Sequence, residues 1–133
     1  MESKKLKDMA DEMAFRKLVA YTKSRDLVIR VYELIKRFPK EEQYALCDQL
    51  RRAVVSVPSN IAEGMGRLSM KDRAHFLEIA FGSLLETNCQ LDVANKLGYI
   101  TEAELEFIDK ECRELARVLS GLRASLLKEE SGK

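Results

Sequence analysis

From Phe15 onward the apolar residues return every three or four positions, in four long stretches separated by short polar joints. That period is the signature of amphipathic helices. In the first stretch, residues 14–37, Phe15, Leu18, Thr22, Val28, Val31, Ile35 and Phe38 fall near one line, and Leu27, Tyr32 and Leu34 widen it. So broad a stripe suits a helix that touches two neighbours. It ends at "RFPKEE", because Pro39 lacks an amide hydrogen and disfavours helical backbone at Phe38. Glu41 and Glu42 then suit the positive end of the next helix.

The second stretch, residues 41–66, holds a proline in mid-pattern. Leu46, Leu50, Ala53, Val57, Ile61 and Gly64 keep helical phase across Pro58, which predicts one helix kinked there. An interior proline costs ~3 kcal/mol, since it removes a backbone bond and crowds the carbonyl four residues back. That carbonyl belongs to Val54, and burying Val57 and Ile61 at ~1.5–3 kcal/mol each outweighs the cost. Two helices, the second capped at Ser59, are the alternative.

Ser69 and Asp72 form a helix-start signal for the third stretch, whose stripe is Phe76, Ala80, Ser83, Leu84, Thr87, Leu91 and Ala94. Leu97-Gly98 closes it, glycine being free to take positive φ. Thr101 and Glu104 match a capping box for the fourth. Its line, Leu105, Ile108, Cys112, Leu115, Leu119, Leu122 and Leu126, alternates steps of three and four, the period of left-handed bundle packing. Helices of ~25 residues run ~38 Å, and such short joints force neighbours antiparallel. The expected fold is all-α, an up-down-up-down antiparallel four-helix bundle over residues 14–128. Residues 1–13 are expected to be a poorly ordered extension and residues 129–133 a tail.

A chain of 133 residues, 46% hydrophobic and 34% charged, is one ordinary domain and not a disordered one. No apolar run approaches the ~20 residues of a spanning helix, and the first residues lack a secretory apolar block, so a cytoplasmic protein is expected. Cys47, Cys89 and Cys112 sit on different helices without paired spacing, which points to reduced, buried thiols. Residues 1–73 carry 16 Lys or Arg against 11 Asp or Glu, a balance of +5; residues 74–133 carry 7 against 11, a balance of −4. Either a polyanionic partner or mutually complementary helix faces would use that asymmetry.

Catalytic equipment is sparse. His75 is the single histidine, beside Phe76 on the first turns of the third helix, where a solvated or capping role fits best. No Glu-x-x-His, phosphate loop, nucleophile elbow or zinc spacing occurs. The expectation is a protein that is not an enzyme, with no cofactor, metal or small-molecule substrate. Arg51, Arg52, Arg67, Lys71 and Arg73 cluster around the second and third helices, with Lys36, Arg37 and Lys40 at the first joint. Such side chains neutralise phosphates without reading sequence. No Tyr or Phe interleaves them for base stacking, and a merely solvated basic face is the competing reading. Surplus apolar residues on the first helix, Tyr21, Leu27 and Leu34, are the candidate subunit contact, unless they fill a broad core.

The stretches "RFPKEEQYALCDQLRRAVVSVPSNIAEGMGRLS" and "FLEIAFGSLLETNCQLDVANKLGYI" resemble the four-helix-bundle family of proteins encoded in intervening sequences of 23S ribosomal RNA genes. The similarity spans residues 14–127. It rests on Phe38-Pro39, Gln-Leu-Arg-Arg at 49–52, Ser-x-Pro-x-Asn-Ile-Ala-Glu-Gly at 56–64, Gly-Ser-Leu-x-Glu at 82–86 and Leu-Gly-Tyr-Ile at 97–100. It implies a bundle that assembles into a homopentameric ring, related to the accessory proteins of diversity-generating retroelements, which bind a reverse transcriptase and nucleic acid through a basic surface. It implies no catalytic residues. Tyr21 stands where the family leads one to expect tryptophan. Asn60, Glu63 and Arg67, spaced three and four apart, share a helix face beyond Pro58 and are a second candidate contact. Two functions follow: an oligomeric adaptor for RNA or a ribonucleoprotein, or a structural assembly module whose partner is protein.

Overall fold

A computed structural model describes residues 12–131. A 3-10 turn, Glu12–Lys17, leads into α1 (Val19–Ile35). A second, Lys40–Glu42, precedes α2 (Leu46–Met65), followed by α3 (Met70–Lys96) and α4 (Glu102–Ser131). The described residues contain no strand.

The first two helices are shorter than the sequence pattern predicts. Leu18 is extended (φ −70°, ψ 135°) and offers no side-chain cap, so the apolar rhythm before it folds as a 3-10 turn. Phe15 still packs, its ring edge-on to Tyr21 at 4.9 Å. After Pro39 the chain makes a single 3-10 turn, and Ala45 (φ −118°, ψ −99°) interrupts helical geometry before α2 begins. Glu41 and Glu42 therefore lie in the first turn of the 3-10 helix after Pro39, as expected of the next helix, and not at the start of α2. Glu42 accepts a 2.7 Å hydrogen bond from the Tyr99 hydroxyl and ties the first joint to the third.

The other boundaries follow their caps. The Ser69 hydroxyl accepts from the Asp72 amide at 3.0 Å. Thr101 and Glu104 exchange bonds of 2.8 and 3.1 Å, a complete capping box. Gly98 takes φ 86° just past α3, the left-handed conformation a helix end uses. Residues 1–11 and 132–133 lie outside the described residues, and so does most of the expected N-terminal extension. The expected tail at 129 is instead helical as far as Ser131.

Each helix lies against two neighbours, and no Cα pair joins the diagonals α1–α3 or α2–α4 within 8 Å. Side-chain pairs run in opposite order along adjoining helices. Lys23 meets Glu114 at 3.3 Å, Arg30 meets Glu111 at 2.6 Å, and Arg37, just beyond α1, pairs with Glu104. Ser56 and Ser83 share a 2.8 Å hydrogen bond between α2 and α3; Glu78 meets Arg123 at 3.1 Å and Asn88 donates to Asp109 at 2.7 Å between α3 and α4. Down the centre run Val31, Leu50, Val54, Val57, Ile61, Leu84, Leu91, Leu115 and Leu119, all essentially inaccessible. Each buried Leu, Ile or Val contributes ~1.5–3 kcal/mol.

α2 continues through Pro58 as one helix. The neighbouring carbonyls are bonded from side chains: Ser59 donates its hydroxyl to Val55 O, and Asn60 its amide to Ser56 O, each at 2.8 Å. The polar residues around the proline thus serve its loosened backbone.

Two expectations are corrected. Leu27 is only 2% exposed, because α1 turns it toward the core with Ala20, Ser24 and Val31. Cys89 is exposed, whereas Cys47 and Cys112 are buried. Burial lifts the Cys47 thiol above its ordinary pKa and that of Cys112 to about 11. Among the described residues no helix is long and apolar enough to cross a membrane.

Candidate nucleic-acid interface

The five basic residues singled out by sequence fall into two groups at opposite ends of α2. From Arg52 to the end of α2 at Met65, two residues before Arg67, the helix rises ~20 Å. They do not form one patch.

At the far end, Arg67, Lys71 and Arg73 flank the joint between α2 and α3. Arg67 pairs with Glu63 at 2.8 Å, and its guanidinium lies 4.5 Å from the centre of the Phe76 ring. Arg73 donates from Nε to the Arg67 carbonyl at 2.7 Å. Two of the three therefore serve the joint itself, while Lys71 is exposed and makes no ion pair among the described residues. The Glu63–Arg67 pair also occupies part of the face proposed for subunit contact; Asn60, one turn earlier, bonds Ser56.

At the near end, Asp48 holds Arg51 at 3.0 Å, and the Gln43 carbonyl accepts a second bond at 3.5 Å. Arg52, one position on, is exposed and without an ion pair among the described residues. Beside them α1 contributes Tyr32, 38% exposed. Tyr32, Arg51, Arg52, Val55, Ser59 and Asn60 border an open depression of about 520 Å³ that no carboxylate lines. Arg51 also borders a second depression, of about 230 Å³, with Lys36, Lys40, Phe38 and Pro39, again lined by no carboxylate. Arg51 thus borders both the depression of the first-joint lysines and the one beside Arg52.

Tyr32 is the residue that sequence reading missed. By spacing it belongs to the α1 stripe, and no aromatic lies within five residues of Arg51 or Arg52 in the sequence. Only the packing of α1 on α2 sets it beside residues nineteen and twenty positions later.

The charge asymmetry has a structural answer. Lys23, Arg30 and Arg37 from the basic half meet Glu114, Glu111 and Glu104 from the acidic half across the α1–α4 seam. Most of these side chains are about half exposed, so each pair contributes only ~0–1 kcal/mol. Their effect is to consume much of the positive charge on α1. In the depression beside Arg52, Asp48 holds Arg51, and Arg52 makes no ion pair among the described residues.

The expected subunit contact is also redistributed. Tyr21 and Leu34 are half-buried and pack on the core, and Leu27 lies within it. Other large apolar residues are exposed: Val19 and Ile29 of α1, Phe107 of α4, Tyr44 and Leu68 in the joints, and along α3 Ile79, Leu85 and Val93, with Leu97 just beyond its end. The signal was present in sequence, since these α3 residues fall outside the single stripe assigned to that helix. His75 is exposed, edge-on to Phe76 at 5.9 Å. Among the described residues no group of three His, Cys, Asp or Glu is placed to hold a metal.

The class defined by this geometry is a small all-helical protein of four packed helices. The model of the 23S rRNA-intervening sequence protein family matches residues 16–121, and the chain belongs to that family. A solved structure supports the same placement: a protein of unknown function from the S23 ribosomal protein family of Bacteroides thetaiotaomicron VPI-5482. It is 25% identical, with 79% of this chain and 98% of that one covered at a TM-score of 0.73. No match to a curated protein was found.

Proposed function

We propose that this protein is a non-enzymatic, cytoplasmic, oligomeric bundle that binds RNA or a ribonucleoprotein through the surface around Arg51 and Arg52. The observation that carries the reading is the open depression where two arginines and a tyrosine converge with no lining carboxylate. Lys and Arg side chains neutralise phosphates, and Arg52 is exposed and makes no ion pair among the described residues.

The proposed working form is an up-down-up-down bundle, bent at Pro58, assembled as the homopentameric ring that the resemblance implies. Opposite-order pairing along adjoining helices supports the topology, and the missing amide at Pro58 supports the bend.

Filter retention of labelled RNA tests the function. Reversing Arg51 and Arg52 to Glu is expected to abolish retention, and reversing Lys71 to weaken it less. Equal effects, or no retention by the wild type at low salt, would remove the reading.

A second reading is favoured by the outer face of α3. Ile79, Leu85, Cys89 and Val93 are all exposed on a helix whose inner face is already apolar. Apolar side chains on the outer face of a helix, here interspersed with Glu78, Glu86 and Asp92, suit a partner on that side. On this reading the protein is a structural assembly module, with another copy or a reverse-transcriptase-like protein on that face and no intrinsic nucleic-acid binding. A stable ring that ignores RNA would favour it.

A further inference from the structure

We infer that the depression beside Arg52 is a single-strand site, in which Tyr32 stacks an unpaired RNA base and Arg52 holds the adjoining phosphate. The inference rests on the nucleic-acid reading above and names the strand state that this surface selects.

Three features of the surface carry it. Tyr32 is 38% exposed and pairs with no other ring among the described residues, so no aromatic neighbour competes with a base for it. Every base has a π-face, and stacking on an aromatic side chain is therefore tolerant of sequence. Val55, also partly exposed, adds an apolar contact on the same floor.

Arg52 and Arg51 then divide the electrostatic work. Asp48 and the Gln43 carbonyl fix Arg51, which keeps its guanidinium at the border of both depressions. Among the described residues Arg52 has no ion pair to break before it takes a phosphate. Through Arg51 the path continues to Lys40 and to Lys36, which Glu33 holds at 3.3 Å, so that Lys40 is the further cation made available on one side of the stacked base.

The third feature is shape. The hollow is open and borders the seam between two helices, so a chain can lie along it, whereas a small ligand would remain largely in water. A-form duplex RNA presents phosphates and 2′-hydroxyls outward and keeps its base faces stacked inside. Against a duplex, the arginines would act and Tyr32 would be idle. Only a splayed base uses both.

Fluorescence anisotropy of the full-length protein with a short single-stranded RNA, and with a duplex RNA of the same length, separates these roles. Tyr32→Leu is expected to weaken single-strand binding about fivefold or more and leave duplex binding unchanged. Tyr32→Phe, which keeps the ring, is expected to bind as the wild type does. Arg52→Glu is expected to weaken both. A 2-aminopurine base in the single strand should be quenched on binding the wild type and not Tyr32→Leu. If Tyr32→Leu has no effect, or weakens both RNAs equally, while Arg52→Glu still weakens binding, the single-strand inference fails and the nucleic-acid reading stands. If the wild type binds neither RNA, both fail. Circular dichroism of each variant confirms folding, which an exposed position on α1 should not disturb.

Discussion

Gly64 of α2 and Phe76 of α3 approach so closely that a Cβ on the glycine would lie 2.9 Å from the Phe76 Cβ and 3.2 Å from the Arg73 carbonyl oxygen. Real side chains do not tolerate that separation from a neighbouring Cβ. The glycine that ends the Asn-Ile-Ala-Glu-Gly string is there to let two helices meet. Gly64→Ala is expected to destabilise the protein by ~1–3 kcal/mol through overpacking. Gly82→Ala and Gly121→Ala, where nothing lies within 4 Å, should stabilise by ~0.5–1 kcal/mol. Opposite signs in thermal unfolding check the pair; a stabilising Gly64→Ala would contradict the close approach.

Much of the architecture could be read before any coordinates. Ser69, Gly98 and the Thr101–Glu104 box fixed three helix ends because each is a local device, complete within a few residues. The line from Leu105 to Leu126 identified one face of α4 for the same reason, with six of its seven residues buried and Leu122 half-buried. Periodicity could not show that Leu27 turns inward while Ile29 stays outside, since a broad stripe leaves its own edges undecided. Nor could it bring Tyr32 to Arg52 or Glu42 to Tyr99, which depend on how separate elements dock.

Pro58 interrupts the backbone bonding of α2 without ending the helix. Pro58→Ala restores a donor for the Val54 carbonyl and is expected to raise Tm, by up to ~3 kcal/mol of stability. Solution mass measured on the same variant decides what the proline is for. A changed mass supports a bend that positions Asn60 and the Glu63–Arg67 pair for assembly. Unchanged mass would reduce Pro58 to a tolerated flaw.

Glu104 titrates below the usual carboxylate range, chiefly because the Thr101 amide donates to it, with the Thr101 hydroxyl and Arg37 adding to the effect against partial desolvation. A carboxyl whose folded pKa lies below its unfolded value contributes stability above the unfolded value. That contribution is lost as pH falls through the folded value. Unfolding in denaturant at neutral and acidic pH should therefore show less acid sensitivity in Glu104→Gln than in the wild type. Identical pH profiles would contradict the assignment.

Thiol labelling reports on the outer face of α3. Cys89 is exposed, Cys47 is buried, and Cys112 is both buried and held protonated by a pKa of about 11. In dilute native protein one thiol of the three should react quickly, and all three after unfolding. If copies cover the α3 face, Cys89 labelling will slow as protein concentration rises. A rate independent of concentration would count against assembly through that face.

The central claim, that cations beside Tyr32 bind an RNA backbone, is tested most directly by the slope of log affinity against log salt. Each neutralised phosphate contributes about −0.7 to that slope for a single strand. The account predicts a steep wild-type slope that becomes shallower in Arg52→Glu and shallower again when Arg51 is also reversed. Affinity that is flat with salt, or a slope indifferent to both substitutions, would contradict it.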